Sequence, residues 1–331
     1  MTLEQRISAF ISFGHYIQNV KNDEANADFV KALSRAEAKN PWFSQSTIRA
    51  ALDEIAQILE EKTFRSWISR FYFQEKNARR IALVTEGKTP FDSFQDILCI
   101  LLTGNILIVK PSDKDFILVS FLLSQLIAIE PEFAPFISIQ DCVLPKFDAI
   151  ITPFTNKSVE LYLQKVPHII RKEKTSVAIL TGKETAADLK QLGNDIFYNF
   201  GLSPRNVSKI YMPETFDETK ILDALEEYNS VSMHYKYMNN YEYNKSIYLV
   251  AQQKHFDNGF LILKEDKALK SPLAVVFYEK YSNINEVQKS LEQYRDEILY
   301  VVGTQAQVPF GATRTPRIEE YNSTLNFLIN L

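Results

Sequence analysis

The segment GNILIVKPSD, residues 104–113, sets Lys110 and Ser112 directly after a strand-like apolar run. An ammonium and a hydroxyl at the carboxyl end of a parallel strand stand where open α/β sheets bind ligands. Taken alone, the same pattern also describes a surface lysine after a buried strand. Other chemistry-bearing residues are sparse. Two cysteines, Cys99 and Cys142, and four dispersed histidines, His15, His168, His234 and His255, supply no metal-ligand spacing, so no metal site is expected. The nine glycines come no nearer to one another than Gly193 to Gly201 and Gly303 to Gly311, eight positions in each case. Neither GxGxxG nor GxxxxGK[ST] can therefore be written, which removes ordinary dinucleotide fingerprints and P-loop NTPases. GxSxG and HExxH are absent as well.

The elements that must position Lys110 and Ser112 are legible from pattern. With 331 residues, 46% hydrophobic and 24% charged, the chain can build one large two-part fold or two modest domains. A net charge of -4 gives no electrostatic footprint for nucleic acid. The start, MTLEQRISAF, lacks the basic flank and apolar stretch of a secretory signal. The apolar run from Ile97 to Val109 is broken by Thr103, Gly104 and Asn105, too short and too interrupted for a membrane span. A cytoplasmic location with free thiols is the expectation. The first eighty residues read as helices, with TLEQ as a capping box and Ser46 as cap of TIRAALDEIAQILEE. From 81 to 182 short apolar runs alternate with helical patterns (IALVTEG, FDSFQDILCILL, ILIVKP, FILVSFLLSQLIAI, DAIITPF, VELYLQKV, SVAILTG), which implies a parallel sheet covered by helices. Beyond Gly182 a second α/β unit is predicted, with a helix from about Thr185 to Phe200, a strand in NVSKIYMP and a helix around ILDALEEY. The tyrosines crowding 228–248 predict an amphipathic surface with partly buried rings.

The run GNILIVKPS resembles the aldehyde dehydrogenase superfamily, in which such an element offers its lysine to the adenosine ribose of a nicotinamide cofactor. VPFGATRTP, 308–316, resembles that superfamily's late Pro-Phe-Gly element, and EEYNSTLNFLINL the stretch after it. From about residue 40 to the end, the chain more closely resembles the acyl-CoA reductases of bacterial luminescence operons, which reduce fatty acyl thioesters to aldehydes with NADPH. NPWFS (40–44), FQDILCILLTGN (94–105), HIIRK (168–172), SVAILTGKET (176–185), DIFYNFGL (195–202), RNVSKIYMP (205–213) and NGFLILKEDKALKSPLAVVFYE (258–279) carry this likeness. It implies an α/β, aldehyde-dehydrogenase-like fold of two Rossmann-like α/β domains with a cleft between. Residues 1–180, with the N-terminal helices and completed by 304–331, would form a cofactor-binding-like domain, and 181–303 a catalytic-like domain carrying the nucleophile loop. The resemblance also implies NADP(H), with Lys110, Ser112, Phe154 and Thr155 as cofactor-binding positions. Acyl-CoA or a related anionic ligand would meet Arg205 and Asn206, and a homodimer is implied.

Three departures fall where the chemistry should be. The family places its nucleophilic cysteine in Gly-Leu-Gly-Cys-Arg-Asn-Val-Ser-Lys, and here GLSPRNVSK, 201–209, puts Ser203 at the glycine and Pro204 at the cysteine. Proline offers no nucleophile, and Ser203 without a base is a weak candidate. Cys99 falls inside an apolar helical pattern, where a free thiol packs as a small hydrophobe, and Cys142 belongs to the cofactor half. TEGKTPF, 85–91, replaces the family's Ala-Gly-Asn-Ile-Pro, so Lys88 stands at the oxyanion-donor position. TPFTNKS, 152–158, replaces Ala-Thr-Gly-Ser-Asn-Asn-Ser, so Phe154 stands where a glycine lets backbone approach the cofactor. These changes predict impaired or lost reductase activity, with cofactor use itself open to loss, in a ligand- or partner-binding relative. The alternative is an active acyl-CoA reductase, or another acyl-thioester enzyme, with rearranged catalytic groups.

Overall fold

The computed structural model describes residues 1–74, 76–141, 143–153 and 163–331. The expectations for Cys142, Phe154, Thr155 and the first half of the helix VELYLQKV, residues 159–162, lie outside the described residues. The chain forms two compact units, Met1–Arg171 with Pro316–Leu331, and Lys172–Thr315.

In the first unit, helix Leu3–Val20 starts at the expected capping box, the Thr2 side chain accepting from the Gln5 N–H while Gln5 reaches back. Helices Ala27–Lys39, Gln45–Ile58 and Glu61–Ile68 follow. The third is capped by Ser44, whose hydroxyl accepts the Thr47 N–H at 3.3 Å, and not by Ser46 as expected; Ser46 lies within the first turn and bonds the cap's hydroxyl. Gly14 lets the first and third helices close together, because a Cβ there would meet the Leu59 Cβ at 2.8 Å. Five strands, β1 (Arg80–Val84), β2 (Ile106–Lys110), β3 (Ile137–Ile139), β4 (Ala149–Thr152) and β5 (His168–Ile170), form an all-parallel sheet ordered β3-β2-β1-β4-β5. Helix Phe94–Leu102 is apolar nearly all round and buried, which suits an element enclosed between the sheet and other helices. The C-terminal helix Asn322–Ile329 packs on it and buries Leu325 and Leu328, about 1.5–3 kcal/mol apiece. Buried Asp96 anchors this junction by pairing with Arg171, whose guanidinium also bonds the Thr324 hydroxyl.

The second unit is a six-stranded sheet ordered β11-β6-β7-β10-β9-β8, built from β6 (Thr175–Ile179), β7 (Val207–Pro213), β8 (Phe256–Asp257), β9 (Ile262–Glu265), β10 (Val275–Tyr281) and β11 (Ile298–Val302). Every pairing is parallel except the short β8 against β9. The expected boundary near residue 180 therefore moves back to Arg171–Lys172, since SVAIL pairs with β7 and β11 and not with the first sheet. Residues 304–315 likewise belong to the second unit, and only 316–331 return to complete the first. Helix Ala186–Phe197 opens on a Thr185–Asp188 capping box and stops short of the expected Phe200. The tyrosine-rich stretch forms helix Tyr235–Val250, which buries Tyr237, Tyr241 and Tyr248 and exposes Tyr235 and Tyr243.

Candidate functional site

The strand order of the first sheet reverses direction between β1 and β4, and the carboxyl ends of strands at such a point form the ligand crevice of open α/β sheets. The loop after β1 carries Thr85, Glu86, Gly87 and Lys88, and the loop after β2 carries Pro111, Ser112 and Asp115. Lys110 ends β2 opposite Val84, half-buried, and its ammonium has no hydrogen bond or ion pair among the described residues. Ser112 is differently disposed. Its hydroxyl lies 2.9 Å from Asp115 Oδ1 and 3.1 Å from the Glu86 carbonyl oxygen, and it accepts the Lys114 N–H. The Thr85 hydroxyl lies 2.7 and 2.9 Å from the two Asp115 oxygens and accepts the Ser112 N–H at 3.1 Å. Gly87, at φ 64°, permits this closure, since a Cβ there would come within 2.9 Å of Ser112 Oγ. Lys88, at the expected oxyanion-donor position, pairs through its ammonium with Glu86 at 3.3 Å and donates its backbone N–H to Asp92.

Sequence reasoning missed Asp115. Its carboxyl is 1% exposed and has no cationic partner among the described residues. Burial pushes its pKa upward, against the pull of the Thr85 and Ser112 hydroxyls. The only signal in the sequence is local, an aspartate three residues after the serine of KPS.

In the second unit, the loop 198–206 leads into the amino end of β7. Ser203 and Asn206 clip it: the Asn206 Oδ1 accepts the Ser203 N–H at 2.8 Å, the Ser203 carbonyl accepts the Asn206 N–H, and the Ser203 hydroxyl accepts the Arg205 N–H at 3.2 Å. The Asn206 amide also donates to the Asp195 carbonyl at 3.1 Å, so this candidate substrate residue is buried and spent on the loop. Arg205 is half-buried beside it. Pro204 is exposed at the crest, its carbonyl accepting from the Ser176 hydroxyl at 3.2 Å. Buried Asp195 accepts the Gly311 N–H at 2.6 Å and the Thr313 N–H at 3.0 Å, fixing the Pro-Phe-Gly turn to helix Ala186–Phe197. Its pKa is raised by burial in spite of these donors.

The helix ends in an unusual way. Asn199, Phe200 and Gly201 take φ of 47°, 58° and 81°, three left-handed residues in succession, and a bulky non-glycine residue there costs about 1–2 kcal/mol. Phe200 is held against the His234 ring, with centroids 4.3 Å apart. Asn199 is 8% exposed and its Oδ1 has no hydrogen-bond partner among the described residues, at a cost of about 1–3 kcal/mol.

Lys209, the lysine of the RNVSK run, is fully buried, donating to Glu279 at 2.6 Å and to the Lys267 carbonyl at 2.9 Å. Cys99 is fully buried in the first unit, its sulfur 3.9 Å from the Tyr321 carbonyl oxygen. Burial, and then the Asp96 carboxylate, push its thiol well above the ordinary range, so the reactive thiolate is suppressed. No described helix is long and apolar enough to cross a membrane.

This pair of sheets, with 171 and 315 bounding the inserted unit, is the aldehyde dehydrogenase fold. Among similar solved structures is the indole-3-acetaldehyde dehydrogenase AldA of P. syringae in complex with NAD+ and IAA, 11% identical over 98% of this chain and 75% of that one, with a TM-score of 0.67. Aldehyde dehydrogenase 21 from Physcomitrella patens, in complex with succinate, is 13% identical over 92% and 74%, with a TM-score of 0.63. NADP-dependent glyceraldehyde-3-phosphate dehydrogenase from Bacillus halodurans, complexed with NADP, is 11% identical over 88% and 72%, with a TM-score of 0.59. No family model matches the sequence, and no curated protein does.

Proposed function

We propose that this chain is a relative of the luminescence-type acyl-CoA reductases that binds an acyl thioester without forming an acyl-enzyme. One observation carries this reading: the loop that would present the nucleophile is fully built, clipped by Asn206 and backed by Asp195, yet its crest is Pro204. Reductive deacylation of this kind begins when a thiolate attacks the thioester carbonyl and expels the CoA thiol. Cys99 is walled into a helical core, and the Ser203 hydroxyl accepts a backbone N–H with no base bonded to it among the described residues.

NADP(H) fits the first unit in one respect. The Lys110 ammonium, without a partner among the described residues, suits ribose hydroxyls, and it ends β2, the strand beside β1, at which the strand order reverses. When bound, the cofactor would supply a hydride. What the chain itself contributes is Lys110 to hold the ribose and the Thr85–Ser112–Asp115 lock to hold the two loops together, so Ser112 acts on the loop and leaves the ribose to Lys110.

The test mixes the purified protein with palmitoyl-CoA and NADPH. We expect calorimetry to detect thioester binding while absorbance at the nicotinamide band stays constant. Steady oxidation of NADPH would overturn the proposal in favour of a working reductase with rearranged groups.

A further inference from the structure

Asn199 is a buried residue whose carboxamide oxygen is left unused by the described residues. Its Oδ1 is sealed from solvent without a partner among the described residues, and its main-chain carbonyl accepts the Leu202 N–H at 3.0 Å. The residue is also held left-handed, next to a left-handed phenylalanine. Unpaired polar groups and strained backbone both act against folding, and both gather where a site is held ready for a ligand. Here they fall on adjacent residues, the orphan oxygen on Asn199 and the strained backbone on Phe200, at the foot of the loop that carries Pro204. The loop is otherwise well satisfied: Asn206, Ser203 and Asp195 all have their partners. Asn199 is the exception among them.

We infer that Asn199 is a ligand-reading residue whose Oδ1 accepts an amide N–H from the bound molecule. The inference rests on the proposed function. A buried amide oxygen demands a donor and cannot be met by a thioester carbonyl or an alkyl chain, both of which lack one. Two sources present the required chemistry: the secondary amides of the pantetheine arm of a CoA ester, and the primary carboxamide of a nicotinamide ring.

The variant Asn199→Gly separates ligand reading from structure. Glycine accepts the left-handed backbone freely and removes the unpaired oxygen, so the fold should unfold at the same temperature or higher. We expect Asn199→Gly to keep or raise Tm while weakening binding about tenfold. Calorimetry with palmitoyl-CoA, with S-palmitoyl-2-mercaptoethanol (a thioester without amides) and with NADPH assigns the source. Pantetheine reading weakens only palmitoyl-CoA, whereas nicotinamide reading weakens only NADPH and spares its 3-acetylpyridine analogue. A glycine variant that binds both ligands as the parent does overturns the inference and leaves the proposed function standing. A parent protein that binds neither ligand overturns both.

Discussion

Asp115 shows how a single side chain can hold a site and titrate with it. Because its folded pKa lies above the ordinary carboxylate value of 3.8, the folded state binds the proton more tightly than the unfolded chain. The stabilising contribution is therefore complete below about pH 4 and is lost as pH rises through the folded pKa. Asp195 carries the same sign. We expect Asp115→Asn to flatten the fall in stability with pH above about pH 4, read as urea midpoints across a pH series. An unchanged slope would show that the buried carboxyl does not titrate there. Neither aspartate was legible in the sequence, because what makes each unusual is burial against residues brought close only by folding. Cys99 was legible, since its apolar helical neighbourhood already announced a packed thiol.

At the scale of elements, the Pro-Phe-Gly turn depends on helix Ala186–Phe197. Gly311, at φ 80°, takes a left-handed backbone that strains any other residue, and a Cβ there would displace the Gln191 side chain, whose Oε1 lies 2.4 Å away. Asp195→Ala leaves the Gly311 and Thr313 N–H groups without their acceptor, and we expect a loss of about 2–4 kcal/mol. Amide exchange at those two positions should accelerate before the rest of the sheet is affected, and protection equal to the parent's would refute the latch. Strands and capping boxes such as Thr2–Gln5 could be read from sequence, since their signals are local. The true cap at Ser44 was missed because two hydroxyls lie two residues apart and pattern alone does not choose between them. The helix stops at Phe197 and not near Phe200 because the chain turns left-handed from Asn199 to Gly201, a turn that asparagine and glycine tolerate but that a phenylalanine between them disguises.

The whole molecule nests one unit inside the other's sequence. Lys172–Thr315 is continuous and owns a complete sheet, whereas the first unit needs residues 316–331 to cover the helix bearing Cys99. We expect residues 172–315 to fold alone, with a cooperative thermal transition. We expect residues 1–171 to do so only when 316–331 are fused to them, and cooperative folding of 1–171 without that tail would contradict the account. The alternation of strands and helices made the two-unit plan legible, and the boundary slipped because SVAIL reads as a strand without saying which sheet it joins. Periodicity carries no information on where a cysteine is expected, and that expectation rests on the resemblance to acyl-CoA reductases alone.

Intact-mass measurement after exposure to palmitoyl-CoA, on the parent protein and on the double variant Ser203→Gly with Pro204→Cys, decides whether a thioester acylates this loop. We expect no covalent adduct on the parent and a gain of one palmitoyl group on the variant, mapped to position 204. A palmitoyl group on the parent protein, on any side chain, would contradict the proposed function.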